Sequence, residues 1–277
     1  MNFKHTLSNP SNLEKLKKMS ERFNELFSLK DKVAIVTGSS KGIGESMARG
    51  LAEFGAKVVV SSRKQEAVDE VAAAFRADGL EATGIACHVG DEEQLKHLVA
   101  KTKELYGGVD ILINNAATNP IFGPITDVPN SAFDKIMTVN VKSPFLLSNL
   151  CFPIMKERGG GSIIHISSVE GHRPGFGLGI YSVSKAALLM LTKNQAKEWG
   201  AVNIRVNAIC PGLIKTKFSA AIWQNEAVRK QLESHIPVGR MGMPDEMTGL
   251  SIFLASGASS YCTGASFEAD GGYLVAG

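Results

Sequence analysis

Cysteine is scarce and scattered in this chain. Four occur in 277 residues: Cys87, Cys151, Cys210 and Cys262. They fall in or beside apolar runs, with neither a C-x-x-C pair nor the density of a disulfide scaffold. They therefore read as reduced core thiols in a reducing compartment, with a cytoplasmic location expected and no metal-ligand spacing. Long apolar runs are absent too, none reaching the ~18 residues of a membrane span. The N-terminus has no apolar core of the kind a secretory signal needs. An excess of one charge is also missing. The net charge is +3 and the Lys and Arg residues are dispersed, which argues against a nucleic-acid partner. What remains is an ordinary globular composition, 44% hydrophobic and 21% charged, without repeats or low-complexity segments. The length suffices for one large α/β domain or two small ones.

Residues 1–30 stand apart. Ser11-Asn12 is a helix cap signal, and Leu13, Leu16, Met19, Phe23 and Phe27 recur at helical spacing. This N-terminal helical extension is expected to pack on the domain or on a neighbouring subunit. A transit peptide is disfavoured by Glu14, Glu21 and Glu25. From Asp31 short β-branched runs alternate with helical patterns. The runs are Lys32–Thr37, Lys57–Ser61, Ala82–Cys87, Val109–Asn114, Gly161–Ser167, Ile204–Ile209 and, less clearly, Ala265–Glu268. Such alternation predicts βαβ units. The chain over 31–277 is therefore read as a single doubly wound (Rossmann) α/β domain, a seven-stranded parallel sheet with helices on both faces.

The first turn carries chemistry. Thr37-Gly38-Ser39-Ser40-Lys41-Gly42-Ile43-Gly44 follows a strand and opens a helix. Glycines there let the backbone turn tightly and approach a pyrophosphate, which rests on the helix N-terminus. Gly38, Ser40, Lys41, Gly42, Ile43 and Gly44 are thus candidate contacts to a dinucleotide. The second strand ends Ser61-Ser62-Arg63-Lys64, without the acid that grips an NAD ribose. Arg63 beside Ser62 can pair with a 2′-phosphate through its planar fork, and Lys41 adds a second charge, so NADP is expected over NAD.

A second pattern is Tyr181-x-x-x-Lys185, followed by good helix formers with no Gly or Pro before Gly200. On a helix that spacing places the ammonium close to the phenol. A free tyrosine titrates near 10. Bringing it near neutrality asks for about 4 kcal/mol of preferential stabilisation of the phenolate. Such a group can donate a proton to a carbonyl oxygen or accept one from an alcohol.

Four motifs in order carry a resemblance: the glycine turn, Asn114-Asn115-Ala116-Ala117, Ile166-Ser167-Ser168 and Tyr181-x-x-x-Lys185. From about Lys32 to Gly272 the sequence resembles the short-chain dehydrogenase/reductase family. Ser61–Gln65, Cys87–Gly90 and Pro211–Thr216 are closest to its NADP-dependent carbonyl/retinal reductases. The resemblance implies that Tyr181 is the general acid/base and that Ser168 hydrogen-bonds the substrate oxygen. It implies that Lys185 lowers the Tyr181 pKa and holds the nicotinamide ribose, and that Asn140 binds a water of the proton relay. Asn115 and Ala116 would line the adenosine side, and Pro211, Gly212, Ile214 and Thr216 the nicotinamide. His88 and Val89 would border the adenine; His88 stands where the family commonly has Asp, so that side-chain contact does not carry over. His165 reads as a core or interface histidine rather than a base.

The family's usual homotetramer is implied, with Phe267–Tyr273 in an interface. The chain ends Leu274-Val275-Ala276-Gly277, so the peroxisomal address of the carbonyl/retinal reductases is not expected. A substrate lid is expected over 217–241, with 118–128 and 170–179 lining the rest, around an apolar ketone, aldehyde or secondary alcohol. Two other functions stay open: a 3-oxoacyl thioester reductase, and a nucleotide-sensing protein without turnover. The intact Asn140, Ser168, Tyr181 and Lys185 argue against the latter.

Overall fold

The β-branched runs become one sheet. The computed structural model describes residues 10–276; residues 1–9 of the expected extension, and Gly277, lie outside the described residues. Among the described residues the strands are β1 (Val33–Thr37), β2 (Lys57–Ser62), β3 (Ala82–Ala86), β4 (Ile111–Asn114), β5 (Gly161–Ile166), β6 (Ile204–Pro211) and β7 (Ser266–Ala269). They run in the order β3-β2-β1-β4-β5-β6-β7, and every pairing is parallel. The weakest strand signal in the sequence, β7, is one of the two edge strands, where only one neighbour rewards pairing and the side chains stay half exposed.

The helices are α1 (Pro10–Phe27), α2 (Gly42–Glu53), α3 (Gln65–Ala77), α4 (Glu92–Tyr106), α5 (Asn130–Met137), α6 (Ser143–Glu157), α7 (Gly179–Trp199), α8 (Ala220–Trp223), α9 (Glu226–Glu233) and α10 (Thr248–Ala255). They cover both faces because strand side chains alternate. Val36, Val58 and Ile113 meet Met47 and Leu51 of α2, Phe75 of α3 and Leu254 of α10. Ile35, Val59 and Leu112 meet Leu98 of α4, Met155 of α6 and Trp199 of α7 on the other face. Each such side chain contributes roughly 1.5–3 kcal/mol on burial, so the two cores fix the sheet as a rigid base.

Strand order reverses beside β1. The connections leave β1 and β4 on opposite sides and open a crevice at their carboxyl ends. The glycine turn, Asn115, Ser168 and Pro211 all follow or end strands at that edge.

Among the described residues, helix α1 packs on the domain at its carboxyl end. Phe27 packs on the core and Leu29 is buried, whereas Met19 and Phe23 are exposed. Of the sequence stripe, Phe27 is used and Met19 and Phe23 are not, while the side chains of Leu13 and Leu16 lie outside the described residues.

One polar fastening was not anticipated. Asp110 is buried and accepts from Arg158 Nε and Nη2, both at 2.9 Å, and from the Val33 N–H at 2.8 Å. It ties the starts of β1 and β4 to the end of α6. Asp110→Asn is expected to lower stability by about 2 kcal/mol, less than for a fully buried pair because Arg158 is one-third exposed. A shift of the urea midpoint at constant slope checks this.

Candidate active site

The glycine turn is shaped by its own packing. Gly38 and Gly42 have φ of 65° and 63°, which a side chain rarely adopts. A Cβ on Gly44 would meet Asn115 Nδ2 at 2.4 Å and the Gly38 carbonyl oxygen at 2.5 Å. Asn115 Nδ2 donates to the Thr37 and Gly38 carbonyls at 2.9 and 3.1 Å. Thr37 Oγ1 in turn accepts from the Asn115 and Ala116 N–H groups. The Asn115 side chain is therefore a clamp on the turn. The Lys41 cap of α2 makes no side-chain cap bond, so first-turn N–H groups remain available to an anion.

The donors around this crevice fit a dinucleotide carrying a further phosphate. Arg63 and Lys41 are exposed, and among the described residues neither has a carboxylate at ion-pair distance. Thr216 reaches back to the glycine turn, its Cγ2 lying 3.5 Å from where a Gly42 Cβ would be. Gly212 is held tight against Asp270, and Pro211 and Ile214 are buried beneath that stretch. Val89 is buried, while His88 is exposed and its Nδ1 accepts from the Gly90 N–H.

Helix α7 carries Tyr181 and Lys185 on one face. Lys185 is 2% exposed, its Nζ lies 5.5 Å from the Tyr181 ring centroid, and it donates to the Ile166 carbonyl at 2.7 Å. Burial holds the ammonium down at about 8. Burial pushes the Tyr181 pKa above its ordinary value and Glu170 adds to the rise, against the nearby Ser168 hydroxyl, which favours the phenolate. The expectation that Lys185 lowers this pKa is not met here, because the ammonium is turned to the Ile166 carbonyl rather than the phenol oxygen. The direction of the shift favours the neutral hydroxyl.

Asn140 sits in a single π turn (Thr138–Lys142) between α5 and α6, a bulge common at functional sites. Its Oδ1 accepts from the Thr118 N–H at 2.8 Å, and its Nδ2 donates to the Thr118 carbonyl and to Ser184 Oγ, both at 3.0 Å. Both amide protons are used, so its side chain pins the loop after β4 and has no donor left for a water. Ser184 passes the restraint on by donating to the Tyr181 carbonyl at 2.6 Å.

Glu170 went unnoticed in the sequence. It accepts from Ser182 Oγ at 3.1 Å and from the Gly175 N–H, and its own N–H donates to Ser168 Oγ at 3.1 Å. It ties the Gly-rich loop 170–179 to the site. That loop meets 118–128 where Gly123 donates to the Gly177 carbonyl, and Phe122 lies where a Gly177 Cβ would project. Phe218, 60% exposed, stands 6.1 Å from Tyr181 between ring centroids. An apolar rim with one acid at its base is the result. His165 is the neutral core histidine expected, between Asn114 Nδ2 at 3.2 Å and Gln195 Oε1 at 2.9 Å.

A family model described as enoyl-(acyl carrier protein) reductase matches residues 38–274. "Dehydrogenase/reductase SDR family member 4" of Oryctolagus cuniculus is 48% identical over 244 residues, 88% of this chain and 94% of that protein. A gluconate 5-dehydrogenase from Burkholderia cenocepacia, solved with NADP and tartrate, superposes with a TM-score of 0.88 at 32% identity, covering 91% and 99% of the two chains. A 7α-hydroxysteroid dehydrogenase solved with NADH and a 7-oxo bile acid gives 0.86 at 34%, covering 90% and 96%. The chain belongs to the short-chain dehydrogenase/reductase family, and it is an oxidoreductase of that family.

Proposed function

We propose that this protein is an NADP(H)-dependent carbonyl reductase, running in reverse as a secondary-alcohol dehydrogenase. The observation that carries the reading is Tyr181 with the Lys185 ammonium 5.5 Å from its ring centroid and the Ser168 hydroxyl nearby, beneath an apolar rim that includes Phe218. Related folds take either NADP or NADH, so the residues after β2 decide the choice, and here they present Arg63 and no acid. When bound, the cofactor supplies or accepts the hydride. Ser168 positions the substrate oxygen and stabilises its developing charge. Tyr181 gives that oxygen its proton. Lys185 faces the ribose from across the Tyr181 ring, and Asn140 keeps the Thr118 loop and α7 in register. Gly38, Ser40, Lys41, Gly42, Ile43, Gly44 and Ser62 cradle phosphates and ribose. His88, Val89, Asn115 and Ala116 border the adenosine side, and Pro211, Gly212, Ile214 and Thr216 the nicotinamide. Residues 217–241 act as the lid. A homotetramer in the cytoplasm completes the proposal, supported by the unpaired thiols and the half-exposed edge strand β7.

Fluorescence titration with NADPH and NADH, followed by turnover on ketones, aldehydes and a 3-oxoacyl thioester, tests the reading. Tight NADPH binding with turnover on simple carbonyls is expected. Turnover confined to the thioester would replace the substrate class, and binding without any turnover would favour a sensor. Arg63→Ala is expected to weaken NADPH about tenfold or more and NADH little, one charge-assisted contact being worth roughly 1.5–3 kcal/mol. Equal losses would remove the 2′-phosphate argument.

A further inference from the structure

The carbonyl reductase reading leaves three side chains unused where β6 and β7 meet the turn after β5. His172 Nε2 lies 3.1 Å from Glu268 Oε1 and 3.5 Å from Cys210 Sγ, and all three atoms fall within 4.8 Å of one another. In tetrahedral coordination, bonds of about 2.0–2.3 Å put neighbouring ligand atoms about 3.3–3.6 Å apart. Two of the three separations are already near that size. The third closes by turning Glu268, an exposed side chain on the edge strand paired with Cys210 in register.

The cluster differs from a plain surface ion pair in its third member. Cys210 is fully buried on β6, whose pairing with β5 and β7 holds its sulfur in place. Ser266 Oγ donates to Glu268 Oε1 at 2.9 Å, an outer contact that orients the carboxylate. Lys185 interacts with the same thiol. Its charge opposes a dication, so an ion is held only where thiolate and carboxylate together cancel the charge. One sulfur, one imidazole nitrogen and one carboxylate suit a borderline-soft ion and not Mg²⁺ or Ca²⁺, which take oxygen sets.

We propose that His172, Cys210 and Glu268 form a binding site for a zinc-class divalent transition-metal ion, with a fourth position left to water or an exogenous ligand. Binding exchanges the thiol proton for a metal–sulfur bond and leaves every oxidation state unchanged.

The full chain, reduced and stripped of metal, is titrated with Co²⁺ alone and followed by absorption. A thiolate-to-cobalt charge-transfer band saturating at one ion per chain, and displaced by Zn²⁺, is expected. Cys210→Ser should abolish the band, and Cys262→Ser should leave it unchanged. His172→Ala, on an exposed turn, should weaken Zn²⁺ by at least the roughly 10–100-fold that loss of an outer-shell partner costs. Should Cys210→Ser fail to fold, His172→Ala and Glu268→Gln decide. Unchanged affinity in both, or no thiolate band in the native chain, overturns the site. None of these readouts depends on turnover, so failure of the reductase reading and failure of this site are separable.

Discussion

Tyr181→Phe is expected to cut carbonyl reduction by about 10²–10⁴-fold, the range that a positioned acid contributes. The ring and its packing against Phe218 survive the change, and only the hydroxyl is removed. NADPH affinity should therefore stay almost unchanged, and so should the thermal midpoint. A variant that retains turnover would remove Tyr181 as the proton donor. The protonation of the resting site adds a directional result. Burial holds Tyr181 in its neutral form, so carbonyl reduction starts with its proton in place, whereas alcohol oxidation must first ionise the phenol. Oxidation should thus keep rising with pH across the alkaline range, while reduction stays flat until Lys185, held near 8, begins to lose its charge. Rates in both directions across pH check this. A flat oxidation profile would mean that another base accepts the proton.

The legible parts of the fold were those with local causes. Seven β-branched runs separated by helical periods are enough to specify a parallel sheet, because parallel strands need crossovers and buried strands need apolar faces. Tyr181 and Lys185 were legible for the same reason, since an i, i+4 spacing on a Gly-free helix places two side chains without reference to the rest of the chain. Asn140 was legible as a position but not as a structural part. Its three hydrogen bonds depend on where the loop at Thr118 and the side chain of Ser184 arrive, which no spacing encodes. The protonation of Tyr181 was misjudged in sequence because helical spacing gives closeness to Lys185 and says nothing of burial or of the Ile166 carbonyl competing for the ammonium. Glu170, Asp110 and the trio of His172, Cys210 and Glu268 gave no sequence signal. Each works through partners drawn from separate elements, brought together only when the sheet closes.

The core histidine yields the other large effect, on stability against pH. His165 is fully buried: its Nδ1 accepts from Asn114 Nδ2 and its Nε2–H donates to Gln195 Oε1. Protonation would bury a charge in the core, and near Lys185, so the pKa falls to about 4 despite the bond to Gln195. An imidazole in the unfolded chain titrates near 6.5. Between these values the unfolded chain binds the extra proton. Stability from this group is therefore complete above about pH 6.5 and declines as the pH drops toward 4, by about 3 kcal/mol in all. His165→Asn removes the titration while keeping a neutral polar group. Its absolute stability at neutral pH should be lower, because the shorter side chain cannot span from Asn114 to Gln195. Its loss between pH 7 and 4 should be smaller than that of the native protein by roughly that 3 kcal/mol, measured by urea unfolding at each pH. Parallel profiles for the two proteins would mean that His165 keeps its ordinary pKa in the fold. The Asn114–His165–Gln195 chain would then tolerate a charge, and another group would have to account for the acid sensitivity.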